Sequence, residues 1–594
     1  MDGTDFAKAK LVLSYFFGWT ARIQPKKLFL DTGMPCTLLE LRVARFHWCG
    51  KHRPVLIASW KLTPLKAFAT VFLELGYIIS ISITDIILAN VDWYDWLVSL
   101  ITWGVLIAVV DFVIVCFAVG HVVLNKRDIR AAIGWTGVIL LAPLTGWALY
   151  WMFGINRLNR KARRLFGKPI TEGPSDGDLA IKEVSFDSSE LLRSEVVGTE
   201  LLGPLADQLS PLATLVDKVV GRPLVGGNEV ELYPSLQQGF SAMLAAIECA
   251  TQSVTLCSYI FDRDAVGEQF VTALKQAQGR GVDVRVIVDG VGIRYSWPSI
   301  KRSLAAAKIP FAVFMPTLIP WRLHYSNLRN HRKILVVDGR VGFTGGLNIR
   351  QGMRARLKPP KPQVDAHFRI EGPVVRDLQE TFADDWEFCT GKSLGGESLD
   401  GEKWFPPIVE SGNVLARGIA DGPDHNSGNI RLTLAGAISA AKRSVYIVTP
   451  YFLPDSSLID ALNVADLRGV DVKIVLPQFN NLLLVQWASM AHLWQLLSRG
   501  VQVWTTPPPF DHSKLMVVDE AWCMFGSTNW DPRSLRLNFE FNVECYSPQV
   551  AGAIANLIRE KIASAKQLTL ADLDNRPLPI KLRDGLARLA TPYL

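Results

Sequence analysis

From Leu97 to Leu124 the chain runs 28 residues with Asp111 as its only formal charge, and from Ala131 to Gly154 another 24 with none. Crossing about 30 Å of hydrocarbon takes about 20 helical residues, so this pattern predicts a transmembrane helical hairpin. Trp93, Tyr94 and Trp96 precede the first run, and Trp147, Tyr150 and Trp151 close the second. That is the aromatic placement of headgroup depth. Arg157, Arg160, Lys161, Arg163 and Arg164 follow as a basic stop. Ala67 to Asn90 is also apolar, but Glu74 and Asp85 interrupt it. It stays open between a third span, a re-entrant segment and an interfacial amphipathic helix. Leu11 to Trp19 is too short to span and lacks a small-residue cleavage site, so no signal peptide is read.

Beyond a polar stretch punctuated by Gly173, Pro174 and Gly177, the pattern changes to strands alternating with helices. The spacing predicts helix over 240–250, strand over 253–261, helix over 266–278 and strand over 282–288. The order returns about 180 residues later, with helix over 432–441, strand over 444–449, helix over 456–465 and strand over 470–476. This duplication predicts two tandem α/β halves packed together. The expected division is a basic N-terminal extension (1–95), the hairpin (96–156), a linker (157–220), a first half (221–415) and a second half (416–594).

With 594 residues, 49% hydrophobic and 20% charged, the chain is neither disordered nor one small module. Its net charge of +7 is already present in residues 1–66, which carry 11 Lys/Arg against 4 Asp/Glu. The rest is balanced, so no nucleic-acid partner is expected. Eight scattered cysteines form no redox pair or disulfide framework. Cys36, His47, Cys49 and His52 have zinc-ligand types, but their spacing fits no common zinc module.

The duplication is sharpest in its polar residues. The first half reads His331-Arg-Lys333-Ile-Leu-Val-Val-Asp338 and, after six residues, Gly345-Gly346-Leu-Asn348. The second reads His512-Ser-Lys514-Leu-Met-Val-Val-Asp519 and then Gly526-Ser527-Thr-Asn529. Strand alternation puts His331, Lys333 and Leu335 on one face, so imidazole and ammonium project side by side. Such a cleft suits a phosphate. Lys333 and Lys514 supply charge, Asn348 and Asn529 donate hydrogen bonds, and the small Gly346 and Ser527 let backbone approach closely. One histidine can attack phosphorus while the other protonates the leaving alkoxide.

These two HxKx4D motifs with their Gly-Gly/Ser-x-Asn tails resemble the phospholipase D superfamily over about residues 220–594. Ile133-Gly134-Trp135, Phe153-Gly154-Ile-Asn156-Arg157, Thr449-Pro-Tyr-Phe-Leu-Pro-Asp455 and Asn529-Trp-Asp531-Pro-Arg533-Ser534 are similar to bacterial cardiolipin synthases of that type. The resemblance implies an α/β fold of two tandem phospholipase D-like halves about a pseudo-twofold axis, after the hairpin. It also implies a membrane-bound phosphatidyltransferase that uses phosphatidylglycerol and other phospholipids of the bilayer, with a phosphohistidine intermediate and no metal or other cofactor. His331 is then the nucleophile and His512 the acid/base. A carboxylate orients each histidine, with Asp365 and Glu540 the candidates, while Asp338 and Asp519 are structural members of the motif. Ile349-Arg350-Gln351-Gly352-Met353-Arg354 is basic where the family turns acidic, and residues 1–95 match nothing in it.

A phospholipase D-type hydrolase shares these motifs. A nuclease would need a basic groove, and a non-catalytic lipid-binding descendant would first have lost a histidine or lysine. Asn481 to Leu497 carries more apolar residues than one core-facing stripe requires. With Ile580 to Leu594 it is open between packing and an interfacial role. Two spans would leave the catalytic body cytoplasmic, since Lys/Arg before and after the hairpin outnumber Lys126, Arg127 and Arg130 on its loop.

Overall fold

The computed structural model describes residues 43–44, 57–58, 93–126, 129–154, 202–316, 328–352, 362–394, 401–423 and 426–591. They belong to two units, Met1–Gly154 and Ile155–Leu594. The Cys36–His52 cluster, 67–90 and the basic stop lie outside the described residues, apart from the two-residue strand Val43–Ala44.

In the larger unit, strand alternation sets the layers. Along Ile334–Val337, Leu335 and Val337 enter a core with Phe270 and Val286, while Ile334 and Val336 enter another. Along Leu515–Val518, Met516 and Val518 join Leu434 and Leu458, and Leu515 and Val517 join Ile334 and Val336. Two-residue periodicity therefore gives each half its own outer core and both halves one shared middle core. In that middle core Phe368 and Phe525 stack face to face.

Among the described residues fifteen strands make one sheet, and both halves run in equivalent order outward from the seam. The first half runs Val225–Tyr233, His367–Glu371, Val341–Gly345, Ile334–Val337, Ser253–Ser258, Asp283–Asp289 and Phe311–Phe314. The second runs Val414–Asp421, Glu540–Tyr546, Trp522–Gly526, Leu515–Val518, Ser444–Val448, Asp471–Pro477 and Gln502–Thr506, with Lys566–Leu568 added at its edge. The seam is the antiparallel contact of Val225–Tyr233 with Val414–Asp421, shifted by an irregularity between Val414 and Ala416. Local signals repeat too. Asp264 and Asp455 cap equivalent helices, Ala265–Gly279 and Ser456–Leu467, by accepting backbone N–H groups at 2.9 and 3.2 Å.

Two expectations need correction. The expected linker contains helix Ala206–Val220, whose Leu209, Leu212, Ala213 and Val216 are buried at three- and four-residue spacing. It packs not on the first half, which follows it in sequence, but on helix Asn429–Ala440 of the second. Gln208 hydrogen-bonds Asp519, and Asp217 pairs with the buried Arg417.

In the smaller unit the first apolar run is one 33-residue helix, Trp93–Asn125, long enough to cross a bilayer. The second run is not a single span. Helix Ile129–Leu141 stops at Ala142, because Pro143 supplies no N–H and restricts the residue before it. The chain then folds back as Pro143–Leu149, so closely that a Cβ on Gly146 would stand 2.5 Å from the Val138 carbonyl oxygen. His121 and Tyr150 hydrogen-bond at 2.8 Å across this packing. Asp111 keeps one carboxylate oxygen without a hydrogen-bond partner among the described residues.

Candidate active site

Each histidine stands just before its strand rather than in it: His331 and Lys333 precede Ile334–Val337, and His512 and Lys514 precede Leu515–Val518. Backbone clamps from the opposite half hold them there. The His331 N–H donates to the Phe539 carbonyl at 2.9 Å, and the His512 N–H to the Val364 carbonyl at 2.8 Å. Asn330 bridges to Phe539, and Phe510–Asp511 pairs with Gln363–Val364.

Phe539 and Val364 immediately precede the two candidate carboxylates, so the clamps cross the carboxylate pairing between halves. Nδ1 of His331 lies 2.9 Å from Glu540 Oε2, and Nδ1 of His512 lies 2.8 Å from Asp365 Oδ2. An ionised carboxylate only accepts, so it favours a proton on Nδ1 and leaves Nε2 of a neutral imidazole with its lone pair free; Lys514 Nζ also lies 3.0 Å from His512 Nδ1. Nothing in the sequence specified this crossing.

The two carboxylates are supported differently. Glu540 accepts from the Ser527 hydroxyl at 2.5 Å and from Asn538 at 3.1 Å. Asp365, one methylene shorter, comes so close to Gly346 that a Cβ there would lie 1.9 Å from Oδ1. Gly346 and Ser527 thus form the floors beneath the two carboxylates.

Lys333 and Lys514 each donate to the carbonyl of the histidine two residues earlier, at 2.6 and 2.5 Å. Burial is the main force on their ionisation. It pushes Lys333 down to about 7 and Lys514 down to about 8, against the attraction of Asp365 and Glu540. Burial also lowers His331 to about 4 despite Glu540, and His512 falls well below the usual imidazole value through burial and the charges of both lysines. Burial raises Asp365 to about 7. For Glu540 the effect of burial is outweighed by His331 and Lys333, which hold it below the usual carboxylate range. Lys333 senses the charge of Lys514, and His512 senses both lysines, so both motifs occupy one electrostatic site.

Asn348 accepts the Ile260 N–H at 3.2 Å, and Asn529 donates to Ser534 at 3.1 Å, so both buried amides are held in a fixed orientation. Asp338 and Asp519 are not brought to the histidines. Asp338 accepts the N–H groups of Thr251, Gln252 and Ser253, and Asp519 those of Lys442, Arg443 and Ser444. Both fasten the turn that begins the central strand of their half.

Tyrosines complete the site and were not singled out in the sequence. Tyr259 meets His331 edge-on at 5.0 Å, and Tyr451 meets His512 at 6.2 Å. They follow equivalent strands but sit one position out of register, which hides them from a search for the repeat. The departure after Asn348 also resolves: Arg350 is buried, pairs with Asp262 at 2.9 Å and lies over the Tyr295 ring. Among the described residues no group of three or more His, Cys, Asp or Glu side chains is arranged to hold a metal ion.

A family model described as cardiolipin synthase, PLD-like domain, matches residues 243–386 and 434–562. A cardiolipin synthase of Listeria innocua serovar 6a is 30% identical over 481 residues, covering 81% of this chain and 97% of its own. A cardiolipin synthase of Geobacillus sp. strain WCH70 is 32% identical over 475 residues, covering 79% and 90%. Among solved structures, a phosphatidylserine synthase of Haemophilus influenzae Rd KW20 aligns over 64% of this chain and 99% of that one, with a TM-score of 0.48 and 14% identity.

Proposed function

The chain belongs to the cardiolipin synthase family, and from that premise we propose that it transfers a phosphatidyl group from one phosphatidylglycerol to the hydroxyl of another, giving cardiolipin and glycerol. The observation that carries the reading is the pair of histidines whose Nδ1 atoms are held by carboxylates of the opposite half. Nε2 of His331 attacks phosphorus and the bond to the headgroup glycerol breaks. The anionic phosphodiester favours His512 in its protonated form, with Nδ1–H on Asp365 and a second proton on Nε2; the departing alkoxide takes that Nε2 proton, and glycerol leaves a phosphatidyl-His331. A hydroxyl of the second phosphatidylglycerol then gives its proton to His512 and attacks phosphorus. The P–N bond breaks and cardiolipin is released. Lys333, Lys514, Asn348 and Asn529 stabilise the added charge on the non-bridging oxygens in both steps.

The anchor is helix Trp93–Asn125, in the bacterial plasma membrane. Residues 77–92 before it contain no Lys or Arg, whereas Lys126, Arg127 and Arg130 follow it directly. That asymmetry favours a cytoplasmic catalytic body. The further division into an N-terminal extension, an anchor and two catalytic halves follows the sequence boundaries, with helix Ala206–Val220 reassigned to the second half.

The test is purified full-length protein in vesicles whose only phospholipid is phosphatidylglycerol. Cardiolipin and glycerol in equal amounts, with phosphate trapped on His331, are expected. Predominant phosphatidic acid makes the protein a hydrolase, and phosphate trapped on His512 reverses the two roles.

A further inference from the structure

We propose that the catalytic body carries its own membrane-docking surface, made by the outward side of helix Leu578–Leu589 and the apolar turn leading into helix Leu483–Met490, and that its occupant is an anionic bilayer surface. This rests on the transferase reading above and adds where the lipid substrates enter. At about 100° per residue, Leu578, Leu582, Leu586 and Leu589 share one side of the C-terminal helix, while Asp584 and Ala587 hold the buried side. The four leucines are 58% to 72% exposed. A helix seeking a core would turn that stripe inward; this one turns it out. On the same helical wheel Arg583 flanks the stripe on one side and Lys581 and Arg588 flank it on the other. Cations beside an apolar stripe match lipid phosphates above acyl chains, whereas the same face of a second copy would set Lys581, Arg583 and Arg588 against like charges.

The neighbouring helix extends the surface. Leu483–Met490 packs on the C-terminal helix, and Arg583 lies over the Trp487 ring at 4.5 Å. Leu482, Leu483 and Leu484 are about half exposed at its start, and Phe479 just before them is exposed as well. Their connection to the chemistry is direct. Val485, Ala488 and Ala587 share a small core with Tyr451 and Phe510. The Tyr451 hydroxyl donates to Asn481 at 2.8 Å, and its ring meets His512 edge-on. A body resting on these leucines holds the His512 side of the cleft at headgroup depth, where both phosphatidylglycerols present their glycerols.

The experiment compares full-length protein with the double variant Leu582→Ser, Leu586→Ser on two substrates, phosphatidylglycerol in vesicles and a dispersed short-chain phosphatidylglycerol. Both positions are exposed, so folding should be retained, and the short-chain rate reports that directly. The expected result is a loss of about tenfold or more on vesicles with the short-chain rate within about twofold of the parent. Unchanged vesicle turnover overturns the proposal, as does equal loss on both substrates. A shift of the parent from dimer to monomer in the variant overturns it in favour of a second copy. No transfer by the parent on either substrate is instead the failure of the transferase reading.

Discussion

Replacing Gly346 by alanine should disable one histidine and spare the other. The added Cβ would stand 1.9 Å from Asp365 Oδ1, where side chains keep at least 3.0 Å, so the carboxylate must retreat by about 1.1 Å. Asp365 is fully buried, with Oδ1 accepting the Ala366 N–H at 2.9 Å and Oδ2 facing His512 at 2.8 Å. A retreat of that size stretches the His512 contact toward 3.9 Å, beyond hydrogen-bond reach. Loss of a charge-assisted bond of about 1.5 to 3 kcal/mol corresponds to roughly 10- to 100-fold in rate. The same unpaired carboxylate should cost about 1 to 3 kcal/mol of stability. With His512 as the proposed general acid, the defect should depend on the leaving group. With glycerol departing, phosphatidyl transfer to His331 slows by the full factor; with a nitrophenol that departs unprotonated, the first-turnover burst should approach that of the parent. Glu540→Gln, which disturbs the nucleophile, should slow both. Equal loss of Gly346→Ala on the two substrates, or no loss on either, would refute this account of the crossed pairs.

Other expectations follow from the same geometry. His331→Ala and His512→Ala should each abolish transfer in the vesicle assay, since each half supplies a group the other lacks; full activity in either ends the shared-site mechanism. Lys333 and Lys514 are charged below about 7 and about 8 and neutral above, so kcat/KM should fall as pH rises through that window, and a profile still climbing beyond it would show that their charge is not needed. Charge stabilisation by lysine and asparagine predicts full activity in excess chelator; loss restored by a divalent ion would contradict it. Leu212→Ala should lower stability by about 2 to 5 kcal/mol in denaturant unfolding, because its side chain fills the outer core of the second half.

What could be read from the chain was what repeats locally. The strand and helix positions fall within a few residues of expectation because alternation and capping act over a turn or two, as at Asp264 and Asp455. His331, Lys333, His512 and Lys514 were legible because a second copy made chance implausible. The crossing of Asp365 to His512 and Glu540 to His331 was not, since it depends on contacts spanning 147 and 209 residues. Composition likewise concealed the fold-back at Pro143, because hydropathy measures polarity and not hydrogen-bond continuity. Helix Ala206–Val220 was hidden by the polar residues preceding it; its Leu209, Leu212 and Val216 spacing was the available signal.

That helix also orders events on the ribosome. It is synthesised about 200 residues before helix Asn429–Ala440, the surface it covers. At about 5 to 20 residues per second, the wait is roughly 10 to 45 s, during which its leucines have no native partner. The nascent first half therefore emerges behind an apolar segment it cannot bury, a stage at which a chaperone or the nearby membrane surface becomes the natural shelter. Docking of this segment on helix Asn429–Ala440 can thus begin about 100 residues before Glu540 is made and takes its place behind His331, itself 209 residues earlier in the chain.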